Sequence, residues 1–397
     1  MMKKKRILVV QGTLNAGGAE KATVSFLNTL PRDKYEVDLM LSSRDGLFYS
    51  QVPAWVNIID APYPFSCLSH KPTDWKFYVR HNPLMWAKKV KRTFCAKRQQ
   101  KLHVIQSLWE QWRDDIPAWE HEYDAAYGGQ EGMCNYYIID KVKAKRKILW
   151  IHCDYEWLKY ADDFDRPYFS QATCVATMSP ASRDILKKHF PESSEQFLFL
   201  ENISNGSMIR KMSSLPINEG LFCTDGINIV TVGRLAPPKN YHRAIRTAAE
   251  LKKRDVKFRW VVVGEGPLRP ELEALVRELG VQDDFRMIGL RSNPYQYMAK
   301  ADMLVVTSDF EGRSIAIDEA QILSIPVITT NYPTAHDAVI DRETGLICEM
   351  KPESLADAIE LLSTDQNLQA DIRRHLECKK DGNVAEIEKY MKVLDGE

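Results

Sequence analysis

Two glutamates in the stretch SDFEGRSIAIDEA have the spacing that points most directly to chemistry. Glu311 and Glu319 stand eight residues apart, and the turn at Gly312 is predicted to begin a helix between them. The backbone amides of residues 312–314 would be free at that helix N-terminus and could donate to hydroxyls or phosphate. Because a carboxylate accepts hydrogen bonds from paired sugar hydroxyls, one glutamate could hold a hexose and the other a ribose. The alternative is two acids on a helix surface.

Two cations follow the end of an earlier predicted strand, in the stretch VGRLAPPKN. The strand ends at Val232, and Gly233 lets the backbone turn. Arg234 and Lys239 then follow, five residues apart. A planar arginine fork and a mobile lysine charge at the carboxyl end of a strand suit a diphosphate. If the diphosphate is a leaving group, they also stabilise the charge that develops on it. The alternative is two surface cations in a loop.

Two further stretches have only the outward form of ligand-binding motifs. The stretch VVGEGPLRPEL differs from the dinucleotide fingerprint GxGxxG, because Arg269 stands where the third glycine would be. This disfavours a nicotinamide dehydrogenase, and we interpret the stretch as a tight strand-to-helix turn near the nucleotide. The tripeptide Asp163-Phe164-Asp165 matches a metal-binding DxD pattern but lacks its context, and we interpret it as surface acids.

The elements that must position these residues alternate between strands and helices in two series. The first series opens with RILVVQG, a glycine-rich turn, a helix and YEVDLMLSS, which is typical of a parallel α/β sheet. After a polar linker, a second series has the strands INIVTV, FRWVVV, FRMIG, MLVVTS, PVITT and GLIC. We therefore predict an α/β protein with two doubly wound, Rossmann-like domains that face a central cleft. The predicted boundaries are 1–205, 206–380, and 381–397 for a helix that packs back toward the first domain.

The region 62–122 interrupts this alternation and is rich in Trp, Lys and Arg. Its apolar residues recur at helical spacing, which predicts one or two amphipathic helices. Between residues 71 and 113, eleven Lys and Arg stand against only Asp74 and Glu110. Such a basic, tryptophan-bearing face favours an anionic membrane surface. The alternatives are a solvated helix face and helices that only cover the sheet.

The bulk composition is typical of a globular chain of two-domain size. The 397 residues are 44% hydrophobic and 27% charged, and 54 basic residues balance 54 acidic ones. Eight cysteines without a CxxC pair or metal-ligand spacing favour a reducing cytoplasm. No apolar run approaches the roughly 20 residues that cross a bilayer. We expect a cytoplasmic protein, peripheral on the inner face of the cell membrane, with no nucleic-acid partner.

In their order and at their strand ends, these stretches resemble the donor domain of family 4 retaining glycosyltransferases, which have the GT-B fold. The resemblance covers residues 226–362 and is to bacterial enzymes of capsule, exopolysaccharide and teichoic-acid assembly. VGRLAPPKN resembles the phosphate-binding loop of the family, and EGRSIAIDEA resembles its E-x7-E element. GLRSNPYQYMAKADMLVVTSDFEG resembles the stretch that passes the nucleobase, near Leu290 to Asn293.

The first half of the chain resembles the family more weakly. Gly17 and Gly18 fit its glycine loop after the first strand, which approaches the diphosphate. His152, in WIHCDY, resembles a strand-end histidine near the donor sugar and the reaction centre. Taken without the resemblance, a lone histidine at a strand end is more often a buried core residue. The family commonly has a hydrophobic residue and a proline after Glu-Gly, where this chain has Arg313 and Ser314, and this difference bears on the sugar preference.

The resemblance implies transfer of a hexose-type sugar, with retention, from a nucleotide diphosphate sugar in which UDP is the expected nucleotide. The first domain would bind a cell-envelope glycan or polyprenyl-linked acceptor, and the second would bind the donor. Two routes remain open: front-face attack with the leaving phosphate taking the acceptor's proton, and double displacement through a carboxylate. No metal or other cofactor is expected. The implied catalytic residues are His152, Arg234, Lys239 and Glu311, and the implied donor-binding residues are Gly17, Gly18, Gly233, Leu290, Asn293, Gly312, Arg313, Ser314 and Glu319.

An alternative function on the same fold is a catalytically inactive, glycan-binding partner subunit of a glycosyltransferase complex. Such a protein is expected to lose the phosphate-binding cations or the paired acids. This chain keeps all four, which favours the enzyme.

Overall fold

The protein divides into two compact units. The first contains residues 1–202 and 385–397, and the second contains residues 203–384. Each unit has its own parallel sheet. The structure, a computed structural model, describes residues 4–15, 17–99, 101–217, 220–311 and 313–396.

The sheet of the first unit has seven parallel strands in the order β3-β2-β1-β4-β5-β6-β7. Residues Ile7 to Val10 of β1 are fully buried, as expected for a central strand with helices on both faces. The strand order reverses between β1 and β4, and such a reversal opens a crevice at the carboxyl ends of the strands. The bounds are β1 Lys5–Gln11, β2 Tyr35–Leu41, β3 Asn57–Asp60, β4 Glu122–Gly128, β5 Lys143–Ile151, β6 Cys174–Thr177 and β7 Phe197–Phe199.

Ten α-helices belong to the described part of the first unit. Their bounds are α1 Gly18–Thr29, α2 Tyr63–Ser69, α3 Trp75–His81, α4 Pro83–Arg98, α5 Val104–Trp112, α6 Met133–Lys141, α7 Tyr155–Leu158, α8 Asp162–Gln171, α9 Pro180–His189 and, at the end of the chain, α18 Ile387–Asp395. Helix α18 packs within this unit, because the ring of Tyr390 stacks on Phe26 at 5.3 Å and on Trp150 at 5.8 Å.

The region 62–122 forms four helices, α2 to α5, so the prediction of one or two was wrong. The break between α3 and α4 lies at Asn82, whose backbone is extended and whose side-chain oxygen accepts from the Leu84 amide at 3.1 Å. Pro83 follows, and a proline disfavours helical backbone in the residue before it. Trp109 and Trp112 on α5 are fully buried, so this part of the region covers the sheet.

The sheet of the second unit has six parallel strands in the order β10-β9-β8-β11-β12-β13. Its strands are β8 Ile227–Val232, β9 Phe258–Val263, β10 Phe285–Gly289, β11 Met303–Val306, β12 Val327–Thr330 and β13 Gly345–Cys348. Its helices are α10 Gly206–Ser213, α11 Tyr241–Lys253, α12 Arg269–Glu278, α13 Tyr295–Met298, α14 Ile315–Ile322, α15 Ala335–Ala338, α16 Pro352–Thr364 and α17 Gln366–Leu376. Across the described ranges of both units, no helix has the length and apolarity that a membrane crossing requires.

Candidate functional site

The loop after β8 carries the predicted phosphate-binding cations at the carboxyl edge of the second sheet. β8 ends at Val232, and one turn of 3-10 helix at Pro237–Lys239 leads into α11. Asn240 has a left-handed backbone (φ +42°), and its side-chain oxygen accepts from the Arg243 amide at 3.1 Å. This cap starts α11 and so fixes Lys239 directly before the helix.

Lys239 forms an ion pair with Glu311, which follows β11. The hydroxyl of Ser308 donates to the same carboxylate oxygen at 2.6 Å. The side chain of Glu311 is only 10% exposed and that of Lys239 is 26% exposed, so the attraction is less screened than on an open surface. The structure thus brings together two predicted site residues that are 72 positions apart in the chain.

Three buried hydroxyls that the sequence analysis missed hold the loop that carries Glu311. Thr334 Oγ1 donates to the backbone carbonyl of Glu311 at 2.7 Å, and Thr330 Oγ1 donates to the carbonyl of Ser308 at 2.5 Å. Ser308 holds the Glu311 carboxylate itself. Two of these residues have a signal in the sequence, because Ser308 and Thr330 end the stretches MLVVTS and PVITT. A polar residue where an apolar strand ends is a candidate for this role.

The helix after Glu311 begins later than predicted. Ser314 is the N-cap of α14, with an extended backbone, and the first helical residue is Ile315. Glu311 therefore lies in the preceding loop, and the prediction that the helix begins at the turn at Gly312 was wrong. The amides at the helix N-terminus belong to Ile315 and Ala316 instead of residues 312–314, because an N-cap residue precedes the first helical amide. Gly312 itself lies outside the described residues.

Glu319 lies in the second turn of α14 and is 2% exposed. The hydroxyl of Tyr295, on α13, donates to its carboxylate at 2.9 Å. Burial raises the pKa of Tyr295 well above its usual range, so the phenol remains a donor. The carboxylate is thereby held in one orientation by a neighbouring helix.

Arg234 has a different environment from Lys239. It is exposed, and its guanidinium makes no hydrogen bond or ion pair with any residue in the described ranges. The turn before it is fixed, because the Tyr241 hydroxyl donates to the Gly233 carbonyl at 2.9 Å. An arginine without a protein counter-ion at a strand end can bind an anionic ligand through its planar fork.

The glycines of VVGEGPLRPEL serve backbone packing against this loop. A Cβ atom on Gly264 would lie 1.9 Å from the carbonyl oxygen of Gly233, and one on Gly266 would lie 2.3 Å from that of Leu235. Real Cβ atoms do not approach backbone so closely, so both positions require glycine. The guanidinium of Arg269 is paired with Glu265 and with Glu273. These contacts account for the stretch without a dinucleotide.

The other predicted donor-binding residues of the second unit have mostly local partners. Arg313 donates through Nε and Nη2 to the two carboxylate oxygens of Asp318, at 3.1 and 3.2 Å. Both side chains are largely buried, so this pair ties the loop before α14 to the helix. Asn293 donates to the Met212 carbonyl at 2.8 Å, whereas Leu290 is exposed.

His152 directly follows β5 in the first unit and is buried. Its ring stacks on Trp150 at 4.7 Å, and its Nδ1 lies 3.4 Å from the sulfur of Met178. Its backbone amide donates to the carboxylate of Glu131 at 3.0 Å. The sequence analysis assigned no role to Glu131. Its Nε2 is buried with no hydrogen-bond partner among the residues that the structure describes. Burial lowers the pKa of the imidazole, which favours a neutral ring able to bond a ligand hydroxyl.

Gly17 and Gly18 stand where α1 begins, after the loop that follows β1. Gly17 is the N-cap, and a Cβ atom there would lie 2.0 Å from a carboxylate oxygen of Glu20. Because that oxygen ends a flexible side chain, this contact alone does not require glycine.

The interpretation of Asp163-Phe164-Asp165 as surface acids holds only for its first residue. The side chain of Asp163 is fully exposed, but Asp165 is 1% exposed. Asp165 accepts hydrogen bonds from Tyr136 Oη at 2.6 Å, Tyr155 Oη at 2.8 Å and Gln106 Nε2 at 3.0 Å. Residues two apart on a helix point to nearly opposite sides, which is why the two acids differ. In the described ranges, no three His, Cys, Asp or Glu side chains gather as a metal site.

Comparison with known proteins gives a family match for the second unit. Residues 218–376 match the model of the family described as glycosyl transferases group 1. The N-acetylgalactosamine-N,N'-diacetylbacillosaminyl-diphospho-undecaprenol 4-alpha-N-acetylgalactosaminyltransferase of Campylobacter jejuni is 39% identical over 127 residues, which is 32% of this chain and 34% of that protein. The chain spans between a third and about a half of the length of the curated relatives that it matches first.

Solved structures match over nearly the whole chain at low sequence identity. HepE of Anabaena in complex with UDP-glucose has a TM-score of 0.71 and 17% identity, covering 99% of this chain and 100% of that one. A TarM mutant of S. aureus, in complex with Fondaparinux, alpha-GlcNAc-glycerol and UDP, has a TM-score of 0.66 and 13% identity, covering 98% and 100%.

These matches and the two parallel sheets define the class: the protein has the GT-B fold. Within that class, the match to the glycosyl transferases group 1 model spans residues 218–376, which include the Lys239–Glu311 pair.

Proposed function

We propose that this protein is a retaining glycosyltransferase that moves a hexose-type sugar from a UDP-sugar to a cell-envelope glycan or lipid-linked acceptor. The observation that carries the proposal is the meeting of Lys239 and Glu311 at the carboxyl edge of the second sheet, beside the loop that bears Arg234. Cations for a diphosphate and a carboxylate for sugar hydroxyls then lie within one side-chain contact of each other.

The ion pair suggests how the donor would be recognised. The diphosphate would bind Lys239 and replace part of the contact between Lys239 and Glu311. Arg234 would bind the same phosphates. The Glu311 carboxylate, still held by Ser308, would then accept from hydroxyls of the sugar. The bond between the anomeric carbon and the phosphate oxygen would thus lie between the cations and the carboxylate.

In the transfer step, the bond from the anomeric carbon to the leaving phosphate oxygen breaks, and a bond to the acceptor oxygen forms on the same face. The proton of the acceptor hydroxyl passes to the leaving phosphate. Arg234 and Lys239 stabilise the charge that grows on that phosphate, so no metal ion is needed. A double displacement would place a carboxylate on the opposite face of the sugar, and the stereochemical outcome would be the same.

The names of similar proteins support the substrate classes. The Campylobacter jejuni relative is named for transfer to a diphospho-undecaprenol-linked sugar, and HepE was solved with UDP-glucose. The first name supports a lipid-linked acceptor here, and the second supports a UDP-sugar donor. We also propose that the protein acts on the cytoplasmic side of the membrane.

A panel of UDP-sugars tests the proposal on the purified chain. The accepted donor should raise the melting temperature of the protein. Without an acceptor it should be hydrolysed slowly, and a chelator should not stop this hydrolysis. With a polyprenyl-diphosphate-linked sugar as acceptor, the anomeric proton coupling constant of the product should show the same anomeric configuration as in the donor. Donor binding without hydrolysis or transfer would support the inactive partner subunit, and an inverted linkage would exclude retention.

A further inference from the structure

One surface of the first unit exposes an unusual number of apolar side chains. Of the twelve large apolar side chains that are exposed in the described ranges, five lie between residues 75 and 94. Isolated exposed apolar residues are ordinary, but a cluster marks a contact surface. The five are Trp75 on α3 and Leu84, Trp86, Val90 and Phe94 on α4, with exposures of 54%, 80%, 42%, 40% and 59%.

Two of these five residues, Val90 and Phe94, lie with Pro83 and Ala87 on an outward face of α4. Pro83, Ala87, Val90 and Phe94 are spaced at i, i+4, i+7 and i+11, so they lie on one side of the helix. All four are exposed. A helix that only covers a core would present its polar residues there.

The inward face of α4 carries a lysine. Met85, Lys89 and Ala96 lie opposite the apolar stripe, and Lys89 is 2% exposed. Its Nζ donates to the carbonyl oxygen of Leu68 at 3.3 Å. Burial lowers the pKa of this ammonium to about 8. The inward face of α4 thus combines apolar residues with one buried cation, while the opposite face exposes apolar groups.

The cations of α4 that remain exposed flank the apolar stripe. Lys91 and Arg98 lie on one side of it and Lys97 on the other, by helical spacing. All three are exposed and form no ion pair with another described residue. The Arg98 guanidinium lies 5.0 Å from the centre of the Phe94 ring. The stripe thus has a positively charged border.

Several other cations of the segment 71–113 are not available to a ligand. Lys88 and Arg92 both pair with Asp115, the former at 2.7 Å, and Lys89 is buried. The charge excess that the sequence predicted for this segment is therefore smaller at the surface, and three of the cations that remain exposed border the apolar stripe.

We propose that the α4 face, defined as Pro83, Ala87, Val90 and Phe94 with their border of Lys91, Lys97 and Arg98, docks on an anionic lipid bilayer. Apolar side chains would enter the interface between headgroups and acyl chains, and the bordering cations would contact the headgroups. Trp86 lies at the edge of this face, and its indole nitrogen donates to the Pro72 carbonyl at 2.9 Å, which holds the ring in place. The proposal does not depend on sugar transfer.

The first experiment separates charge from apolar contact by co-sedimentation of the full chain with phosphatidylcholine–phosphatidylglycerol vesicles. The triple variant Lys91→Gln, Lys97→Gln, Arg98→Gln should partition on the order of 100-fold more weakly than the wild type. The matched triple variant Lys34→Gln, Lys143→Gln, Lys188→Gln removes three exposed cations elsewhere in the same unit and should bind like the wild type. An equal loss in both triples would reduce the effect to net charge and overturn the proposal.

The apolar part has its own matched pair. Val90→Ser with Phe94→Ser should also release the protein from the vesicles, whereas Trp157→Ser with Leu198→Ser, two exposed apolar residues of the same unit, should not. Unchanged far-ultraviolet circular dichroism confirms that each variant is folded. If the wild type ignores the vesicles but self-associates through Val90 and Phe94, a protein interface replaces the proposed membrane contact.

Two native cysteines give a direct readout of insertion. Cys95 is exposed on α4 directly after Phe94, and Cys378 is exposed in the second unit. An environment-sensitive dye on Cys95, with Cys378→Ser, should shift to shorter emission wavelength on adding the anionic vesicles. The same dye on Cys378, with Cys95→Ser, should not shift. Equal responses from both positions would contradict docking through α4.

Discussion

At the carboxyl edge of the second sheet, Lys239 and Ser308 both bond to the Glu311 carboxylate. After β5 in the first unit, by contrast, Nε2 of His152 is buried and has no hydrogen-bond partner in the described part of the chain. The first arrangement consists of charged groups that neutralise each other until a charged ligand replaces one partner. The second is a neutral, buried group that gains a hydrogen bond only when a ligand supplies it. From this difference we expect an ionic donor site in one unit and a site for neutral hydroxyls in the other.

Arg234→Ala should have the largest effect on turnover, and it tests the proposed ionic donor site of the second unit. Because the guanidinium has no protein partner in the described ranges, the variant should fold normally and lose turnover on the order of 100-fold or more. Charge on the diphosphate grows toward the transition state, so kcat should fall more than donor affinity. Steady-state kinetics beside a thermal melt measures both, and a normal kcat with only a raised KM would reduce Arg234 to ground-state binding.

Gly264→Ala tests the packing against the loop after β8, which carries Arg234 and Lys239. The added methyl would meet the Gly233 carbonyl at 1.9 Å, so stability should fall by roughly 1–3 kcal/mol, and donor binding should weaken with it. Gly220→Ala is the matched control, because no atom lies within 4 Å of its added Cβ. Denaturant melts of the two variants give the comparison. Equal stability would mean that the loop contact is not tight in solution.

The pH dependence of the free energy of unfolding tests whether His152, in the first unit, is neutral. Burial lowers the pKa of its imidazole below the ordinary 6.5, so the unfolded chain binds this proton more readily than the folded one. The free energy of unfolding should therefore fall as the pH drops through about 6.5 and below. His152→Gln should remove that part of the slope. An imidazole that titrates at or above 6.5 in an NMR pH series would contradict a neutral histidine at this site.

Asp165 should show the opposite slope at lower pH. Burial raises the pKa of its carboxyl to about 6, although three hydrogen-bond donors oppose the shift. The folded chain thus keeps this proton at a pH where the unfolded chain has lost it, so the free energy of unfolding should fall as the pH rises from about 4 to about 6. Asp165→Asn should remove this decrease, and denaturant melts along a pH series measure the difference. Parallel profiles for the variant and the wild type would mean that the carboxylate is ionised throughout.

The positions of Arg234 and Lys239 at a sheet edge were easier to predict from the sequence than the surroundings of His152, for a physical reason. Arg234 and Lys239 follow the end of an apolar strand, and in a parallel sheet such ends meet at one edge, so local patterns suffice. Trp150 lies only two residues before His152, but Met178 and Glu131 follow other strands, and no local pattern predicts that they meet His152.

The errors within helices share one cause. Asp163 and Asp165, like Lys88 and Lys89, are close in sequence but differ in burial, because each helical residue is rotated by about 100° from the last. Counting charges over a segment hides this rotation. The late start of α14 has a local cause, since Ser314 takes the extended N-cap conformation and the loop before it is held by Thr334 and Asp318.

Calorimetric binding of UDP to Glu319→Gln and Glu311→Gln, beside a transfer assay, tests the central claim most directly. Glutamine in place of Glu319 can still accept from Tyr295, so the fold should persist while UDP binding weakens about tenfold or more through the lost contact with the ribose. Glu311→Gln removes the counter-charge of Lys239 and should leave UDP binding nearly intact, while sugar transfer collapses. If both variants bind UDP normally and transfer sugar normally, the two glutamates do not form the donor site.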